Sequence, residues 1–362
     1  MARTLYLVDL ESVETRYTSQ WKSLLPDQFR EHNIKTVVVS GGIVPPNTSP
    51  GAFLNFSGTN SYKSQQLEYI ANLFSKNIVK DGDYFLYTDA WNPTVIQLKY
   101  MSELLGIKIK IGGMWHAGSY DPQDFLGRLI GDKPWVRSAE HSMFSCYDHN
   151  LFATKFHVEI FANCFGDWTA DELMAENETV KIVGWPMEYL HDTFKSYDRD
   201  YNRKKNKIIF PHRLAPEKQL EIFKDLAKEM PEYDWFVAQE NSLSKNDYYF
   251  HLCESKIVFS ANLQETLGIS VYEGALLSVF PLVPDRLSYT EMWDPYFKYP
   301  SDWTKDWESY QKNKPLLMSK IRNIMNTNAP DLSNIIRNSS YITGKKFFTG
   351  TDLYNIIHNT LK

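Results

Sequence analysis

The segment 208–218, IIFPHRLAPEK, decides the fold of this chain. Its first three residues are all apolar, which is typical of a strand buried on both faces of a parallel sheet. Pro211 ends this run, and Pro216 stands where a helix would begin, because proline fits the first helical turn. The segment therefore predicts a strand that turns directly into a helix over 217–230, which is half of a βαβ unit.

The same alternation of strand and helix extends in both directions from this segment. Further strands are predicted at 5–8, 36–39, 84–87, 107–111, 235–238, 257–260 and 280–283. Helices are predicted at 15–31, 63–75, 94–105, 247–254 and 269–277. Two such series predict an α/β protein with two Rossmann-like, doubly wound domains that face a central cleft.

The polar, lysine-rich stretch 195–207 separates the two series and predicts the domain junction. The N-terminal domain is expected at 1–190 and the C-terminal domain at 191–335. The remaining residues, 336–362, are expected to form a helical segment that packs back across the junction. A chain of 362 residues is long enough for two domains of this size.

Composition excludes several classes of protein. The 39 basic and 44 acidic side chains give a net charge of −5, which argues against a strongly basic nucleic-acid coat but leaves local patches open. The three cysteines are far apart and form no CxxC pair, so neither a zinc site nor a disulfide framework is indicated. The apolar start is interrupted by Asp9 and Glu11, so we expect no signal peptide and no membrane span, and a cytoplasmic location.

Two groups of residues in the second series carry possible chemistry. Arg213 and Lys218 flank a strand-to-helix turn, where both can reach one anion together with the helix N-terminus. A diphosphate suits this pair, because arginine binds bidentately and lysine acts as a point charge. Surface residues at a helix start would look the same, so this pair alone decides nothing.

The second group is 265–273, ETLGISVYE, in which seven residues separate Glu265 from Glu273. Gly268 allows close approach of the backbone, and the N–H groups of Thr266 to Ile269, including that of Leu267, open a predicted helix where a phosphate could bind. A carboxylate can accept from vicinal hydroxyls, so one glutamate could hold a ribose and the other a sugar. A pair of surface carboxylates is the alternative.

Together, the two groups resemble the donor half of GT-B glycosyltransferases, in particular the retaining glycosyltransferase family 4. That family has a motif like GRLxxEKG after a strand and a second motif like EGFGLxxxEA, which are similar to 212–218 and 265–275 here. Residues 277–283 look like its GxPVV segment, and 110–118, KIGGMWHAG, resembles its strand and His-Gly loop.

This resemblance implies roles for individual residues. Arg213 and Lys218 would bind the diphosphate, Glu273 the ribose, and Glu265 the transferred sugar. His116 would lie near the reacting centre, with Glu265 as the second catalytic residue. The resemblance further implies a nucleoside diphosphate sugar, such as a UDP-sugar, as co-substrate, no required cofactor, and retention of the anomeric configuration.

The loop after the first strand departs from the family, which usually carries a Gly-Gly pair there. Residues 9–17 contain no glycine, and Asp9, Arg16 and Tyr17 are candidates for a replacement arrangement on the acceptor side. Two Asp-x-Asp sequences, at 81–83 and 198–200, are read as turn residues, so no metal site is predicted.

The missing Gly-Gly pair and the many aromatic, asparagine and lysine residues resemble a bacteriophage version of the fold. This resemblance suggests the hydroxymethyl group of a modified pyrimidine in duplex DNA as the acceptor. The protein would then act in the host cytoplasm. Candidates for base stacking and for phosphate contact are Trp115, Tyr120, Tyr17, Trp21, Arg128, Lys133 and Arg137.

Other functions remain open from the sequence. The acceptor could be a surface glycan or a lipid-linked sugar. A nucleotide-sugar epimerase or dehydrogenase would need a GxGxxG after the first strand, and none is present. A non-catalytic nucleotide-sugar-binding protein on the same scaffold is the alternative from another class.

Overall fold

The computed structural model describes residues 3–13, 16–45, 47, 54–166, 168–198, 200–327 and 329–362. Glu14 and Thr15 of the loop after the first strand therefore lie outside the described residues. The chain divides into two compact units. The first comprises Met1–Pro186 with Gly350–Lys362, and the second comprises Met187–Thr349.

The first unit contains a six-stranded, wholly parallel sheet. Its strands are β1 (Leu5–Val8), β2 (Thr36–Val39), β3 (Tyr84–Tyr87), β4 (Lys110–Met114), β5 (His149–Phe152) and β6 (Val180–Ile182). They lie in the order β2-β1-β3-β4-β5-β6, with Leu5 opposite both Thr36 and Tyr84. β1 and β3 are buried along their whole length, as expected for strands covered on both faces.

Helices connect these strands. They are α1 (Tyr17–Glu31), α2 (Phe56–Ser75), α3 (Thr94–Leu105), α4 (Phe125–Ile130), α5 (Pro134–Cys146), α6 (Lys155–Asn163) and α7 (Ala170–Glu176). Side chains cap several of them: Asn55 accepts from Gly58 N at the start of α2, and Thr169 forms a capping box with Glu172. Gly106 ends α3 in the left-handed conformation, which favours glycine.

The second unit contains a five-stranded parallel sheet in the order β11-β10-β9-β7-β8. Its strands are β7 (Lys207–Phe210), β8 (Asp234–Val237), β9 (Ile257–Phe259), β10 (Phe280–Pro284) and β11 (Lys298–Tyr299). Its helices are α8 (Tyr189–Thr193), α9 (Leu220–Glu229), α10 (Lys245–Glu254), α11 (Ile269–Leu276), α12 (Tyr289–Met292), α13 (Trp307–Asn326) and α14 (Ala329–Phe347).

The last helix, α15 (Thr351–Leu361), belongs to the first unit. Its Tyr354 stacks on His32 with ring centroids 4.0 Å apart and meets the edge of Phe29 at 5.4 Å. Within the described residues, no helix combines the length and apolarity that a bilayer crossing requires.

The predicted α/β class with two Rossmann-like sheets is confirmed, and one local difference lies in the segment 208–218. A helix was expected from 217, but a short 3-10 turn occupies Pro216–Lys218 and α9 begins at Leu220. Gln219 adopts a left-handed conformation with φ of 52°, which breaks the helix at that point. After β7 the chain therefore continues as an irregular segment over 211–215, which is followed by the 3-10 turn at Pro216–Lys218.

Candidate donor site and acceptor-side residues

Lys218 and Glu265 come together after β7 and β9, although 46 residues separate them in the sequence. Lys218 is buried, and its Nζ lies 3.6 Å from Glu265 Oε2. The same ammonium donates to the backbone oxygen of Gln264. The ammonium and the carboxylate therefore form an ion pair that little solvent screens.

Glu265 also caps the turn that leads into α11. Its Oε1 accepts from the backbone N–H groups of Thr266 at 3.2 Å and Leu267 at 3.4 Å. Burial favours the neutral acid, but the Lys218 ammonium, together with the backbone N–H groups of Leu267 and Gly268, outweighs it and holds the pKa of Glu265 below its usual range. The residue is therefore a carboxylate at neutral pH.

Arg213 lies on the same turn as Lys218, and its guanidinium forms an ion pair with Glu217. Its Nε donates to Oε1 of Glu217 at 3.0 Å, and Nη2 donates to the same oxygen. Burial opposes ionisation of Glu217, but Arg213 outweighs it and lowers the pKa of this carboxyl. Glu217 is almost fully buried, so it orients the more exposed Arg213. Sequence analysis did not single out Glu217.

Gly268 forms the entry to α11, which places Thr266, Leu267 and Ile269 around the helix N-terminus. Its φ of +70° is left-handed, and a Cβ built at this position would lie 2.7 Å from Cε1 of Tyr289. Only glycine fits both requirements. The backbone therefore approaches the Tyr289 ring closely, and the first N–H groups of α11 are oriented as a possible phosphate site.

The second glutamate, Glu273, meets a different set of partners from those predicted. It is buried within α11, and its Oε1 accepts from Lys245 Nζ at 3.2 Å and from Tyr249 Oη at 3.1 Å. Its Oε2 accepts from Tyr248 Oη at 3.1 Å. A carboxylate offers about four acceptor positions, so a ribose diol would have to share it with these side chains or displace one of them.

Two further side chains hold the loop after β9, and sequence analysis missed both. Arg286 Nε donates to the carbonyl of Asn262 at 2.7 Å, and its Nη2 donates to that of Ala261 at 2.7 Å. Gln219 Nε2 donates to the carbonyls of Ala261 at 2.6 Å and Thr304 at 2.7 Å. The loop that leads to Glu265 is thus fixed by side chains from after β7 and after β10. No local sequence signal marks such long-range contacts.

His212 and Asn262 form the buried floor of this region. Asn262 Nδ2 lies 3.4 Å from His212 Nδ1 and 3.4 Å from Glu265 Oε2, and 3.3 Å from Tyr289 Oη. Burial, reinforced by the Lys218 charge, lowers the pKa of His212 to about 3, so its ring is neutral at physiological pH.

In the first unit, His116 follows β4 and has both ring nitrogens engaged. Nε2 lies 2.7 Å from the carbonyl of Thr88, so it carries the proton and donates. Nδ1 therefore accepts from the hydroxyl of Tyr17 at 2.9 Å. Burial lowers the pKa of His116. Trp21 and Trp185 lie against the same ring, at 5.8 and 5.3 Å between centroids.

Asp9 directly follows β1, in the loop that was expected to lie on the acceptor side. Its carboxylate accepts from the hydroxyls of Ser40 and Tyr62 and from Gln66 Nε2 at 3.0 Å, and Lys22 Nζ lies 3.5 Å away. Burial outweighs these partners and raises the pKa of Asp9. The network ties β1 to β2, α1 and α2, so the loop is held by side chains.

The remaining acceptor-side candidates have different environments. Trp115 is fully buried and donates from Nε1 to Asn150 Oδ1 at 2.8 Å, and Tyr120 is buried and donates to the carbonyl of His116. As placed, neither ring offers a face to a bound base. The Cζ atom of the Arg16 guanidinium lies 5.8 Å from the centroid of the Tyr17 ring. Arg128 and Lys133 are exposed.

The acidic sequences considered as metal sites act in turns. Asp83 accepts from Thr4 N at 2.7 Å and from Lys80 N at 2.8 Å, and Asp81 accepts from Lys108 N. Asp200 accepts from Asn202 N, whereas Arg199 between the second pair lies outside the described residues. Among the residues that the structure describes, no three His, Cys, Asp or Glu side chains group as a metal site.

Comparisons with known proteins bear on the fold. No protein-family model matches the chain, and no curated protein matches it by sequence. Solved structures do match over almost the whole chain. A pneumococcal O-GlcNAc transferase, GtfA, in complex with UDP and GlcNAc has 12% identity and a TM-score of 0.60, with 99% of each chain covered.

Two further structures have similar scores. The catalytic domain of starch synthase IV from Arabidopsis thaliana, bound to ADP and acarbose, has 8% identity and a TM-score of 0.64, with 99% of each chain covered. A UDP-forming α,α-trehalose-phosphate synthase from Burkholderia vietnamiensis has 9% identity and a TM-score of 0.61, covering 100% of this chain and 99% of that one. At these identities the likeness concerns architecture alone: the chain has the two-unit GT-B fold.

Proposed function

We propose that this chain is a glycosyltransferase that moves a sugar from a nucleoside diphosphate sugar to an acceptor hydroxyl. One observation supports this function most strongly. Lys218, Glu265 and the N-terminus of α11 converge after two neighbouring strands of the second unit. These groups match two parts of such a donor: the cation and the oriented N–H groups suit the diphosphate, and the carboxylate suits the sugar hydroxyls.

The chemistry follows from these contacts. The bond between the anomeric carbon and the diphosphate oxygen breaks, the acceptor oxygen takes its place, and the acceptor proton leaves with the diphosphate. Charge develops on the leaving group, where Lys218, Arg213 and the α11 N-terminus would stabilise it. Glu265 would accept from the sugar hydroxyls, and Glu273 would accept from the ribose once Lys245 or a tyrosine yields. A role for His116 near the reacting centre stays a prediction from the sequence.

The first experiment measures transfer and donor hydrolysis with a panel of UDP-sugars and other nucleotide sugars. We expect Lys218→Ala and Glu265→Ala to abolish both activities while the proteins stay folded. Lys228→Ala and Glu221→Ala are matched controls, since both residues are exposed on α9. Turnover like that of the unmodified protein in either test variant would reject the assignment. NMR of the product anomer tests the proposed retention of configuration.

A non-catalytic nucleotide-sugar-binding protein is the second candidate. The contacts of Glu273 with Lys245, Tyr248 and Tyr249 bear equally on both functions, because each function requires ribose binding. Calorimetry separates the two functions, because a binding protein would take up UDP-sugar and release no UDP from it.

The acceptor proposed from the sequence is a hydroxymethylated pyrimidine in phage DNA, and it stays a prediction. Of its candidate residues, Arg128 and Lys133 are exposed, Arg137 is paired with Asp132 and Glu140, and Trp21 is buried. Mass spectrometry of hydroxymethylated DNA incubated with the nucleotide-sugar panel tests it. Transfer to a glycan or lipid-linked sugar, without any mass gain on DNA, would reject the DNA acceptor.

A further inference from the structure

The turn between α4 and α5 carries large apolar side chains and cations into solvent. We call residues 128–135 the α4–α5 corner. Leu129 is 49% exposed and Trp135 is 61% exposed, and Arg128 and Lys133 are exposed beside them. The carboxylate within this turn, Asp132, accepts from Arg137 Nε at 2.9 Å, and Arg137 also pairs with Glu140. The corner therefore carries two exposed cations, Arg128 and Lys133, against one exposed carboxylate. Exposed tryptophan and leucine are costly in water unless another surface covers them.

Hydrogen bonds locate the corner within the first unit. From the first turn of α5, Arg137 Nη2 donates to the carbonyl of Ser119 at 3.0 Å, in the loop after β4. One turn later, Glu140 accepts from Trp91 Nε1 at 3.3 Å, in the loop after β3. Both loops leave the carboxyl ends of parallel strands, and the loop after β4 also carries His116. The corner therefore lies at the carboxyl edge of this sheet, where ligands of α/β proteins bind.

We propose that the α4–α5 corner docks the first unit on the surface of an anionic lipid membrane. Tryptophan favours the boundary between headgroups and acyl chains, and a leucine beside it can enter the acyl region. Arg128 and Lys133 complement the negative charge of the headgroups. Duplex DNA is a poorer match, because its phosphate-lined surface offers nothing apolar to cover Leu129.

This placement narrows the acceptor if the proposed function holds. An acceptor edge docked on a membrane would meet hydroxyls that the membrane presents, such as those of a lipid-linked sugar. The docking itself does not depend on the proposed function, because it requires neither donor nor turnover.

Vesicle co-sedimentation of the full chain tests the docking. The vesicles contain phosphatidylcholine, with or without phosphatidylglycerol. We expect binding to the anionic vesicles that weakens with salt, a loss on the order of tenfold in Leu129→Ser/Trp135→Ser, and a loss of about fivefold in Lys133→Ala. Tyr100→Ser/Leu104→Ser is the matched control: these residues of α3 are 66% and 81% exposed, and the pair should bind like the unmodified protein.

Three results would overturn the proposal. If the unmodified protein stays in solution with both vesicle types, or if the α3 control loses as much binding as the corner variant, a specific membrane site is excluded. Binding of a duplex DNA fragment that requires Trp135 and Leu129 would instead assign the corner to nucleic acid. UDP calorimetry on the same samples keeps the donor site separate, since it reports on the second unit whatever the vesicles show.

Discussion

Replacing Gly268 with alanine tests whether the entry to α11 is as rigid as its geometry indicates. The residue has φ of +70°, and an added Cβ would lie 2.7 Å from Cε1 of Tyr289. Tyr289 is buried, and its hydroxyl lies 3.1 Å from Ser260 Oγ and 3.3 Å from Asn262 Nδ2. The ring therefore cannot move without disturbing the buried floor that His212 and Asn262 form under the candidate donor site.

Two costs add up in this variant. A left-handed conformation costs a residue with a Cβ about 1–2 kcal/mol, and overpacking a buried site costs about 1–3 kcal/mol. We therefore expect Gly268→Ala to lower the free energy of unfolding of the second unit by about 2–5 kcal/mol. Nucleotide affinity should fall as well, because the N–H groups at the start of α11 move.

Gly106→Ala supplies the matched control. Gly106 has φ of +66°, but no atom lies within 4 Å of the Cβ position, so this variant measures the conformational cost alone. Urea denaturation followed by tryptophan fluorescence gives both unfolding energies, and calorimetry gives the affinity for UDP. In a Tyr289→Leu background, Gly268→Ala should cost only about 1–2 kcal/mol, since the clashing ring is gone. If Gly268→Ala and Gly106→Ala lower the free energy of unfolding equally in the otherwise unmodified protein, the entry to α11 is not rigid and the reasoning is refuted.

Three further predictions concern other parts of the two units. Glu217→Gln should weaken UDP binding about three- to tenfold, because Arg213 loses a charged partner worth about 1 kcal/mol, whereas the exposed control Glu221→Gln should leave the calorimetric affinity unchanged. Arg286→Lys should lower the melting temperature and turnover together, since one ammonium cannot replace a guanidinium that binds several carbonyls; unchanged turnover would show that the loop does not need this anchor. Burial lowers the pKa of His157 from 6.5 to about 3. Below pH 6.5 the unfolded chain therefore binds more protons than the folded one, and at one pH unit below 6.5 the free energy of unfolding of the first unit should be lower by about 1.4 kcal/mol. His157→Gln should flatten that dependence in denaturation curves, and the exposed control His141→Gln should not.

Sequence analysis missed β5, β6 and β11, because polar residues such as His149, Asn150 and Lys181 interrupt the first two and the third is only two residues long. The other eight described strands and their parallel arrangement were predictable from the sequence, because burial on both faces favours a run of apolar residues. The start of α9 was not. Pro216 correctly indicated a helical turn, but the left-handed Gln219 breaks the helix, and the bonds from Gln219 Nε2 to Ala261 and Thr304 come from distant loops. Local patterns carry no information about such partners.

For the candidate site, the sequence by itself determined the residue types and their order: Arg213 and Lys218 after one strand, Glu265 and Gly268 after another. Only the tertiary structure decided which of them meet. Parallel strands bring their carboxyl ends to one edge, so Lys218 pairs with Glu265 although 46 residues lie between them. Arg213 instead pairs with Glu217, and Glu273 pairs with Lys245. Charge pairing depends on distances of a few ångströms between segments that are remote in the chain, and these distances exist only once the sheet has formed.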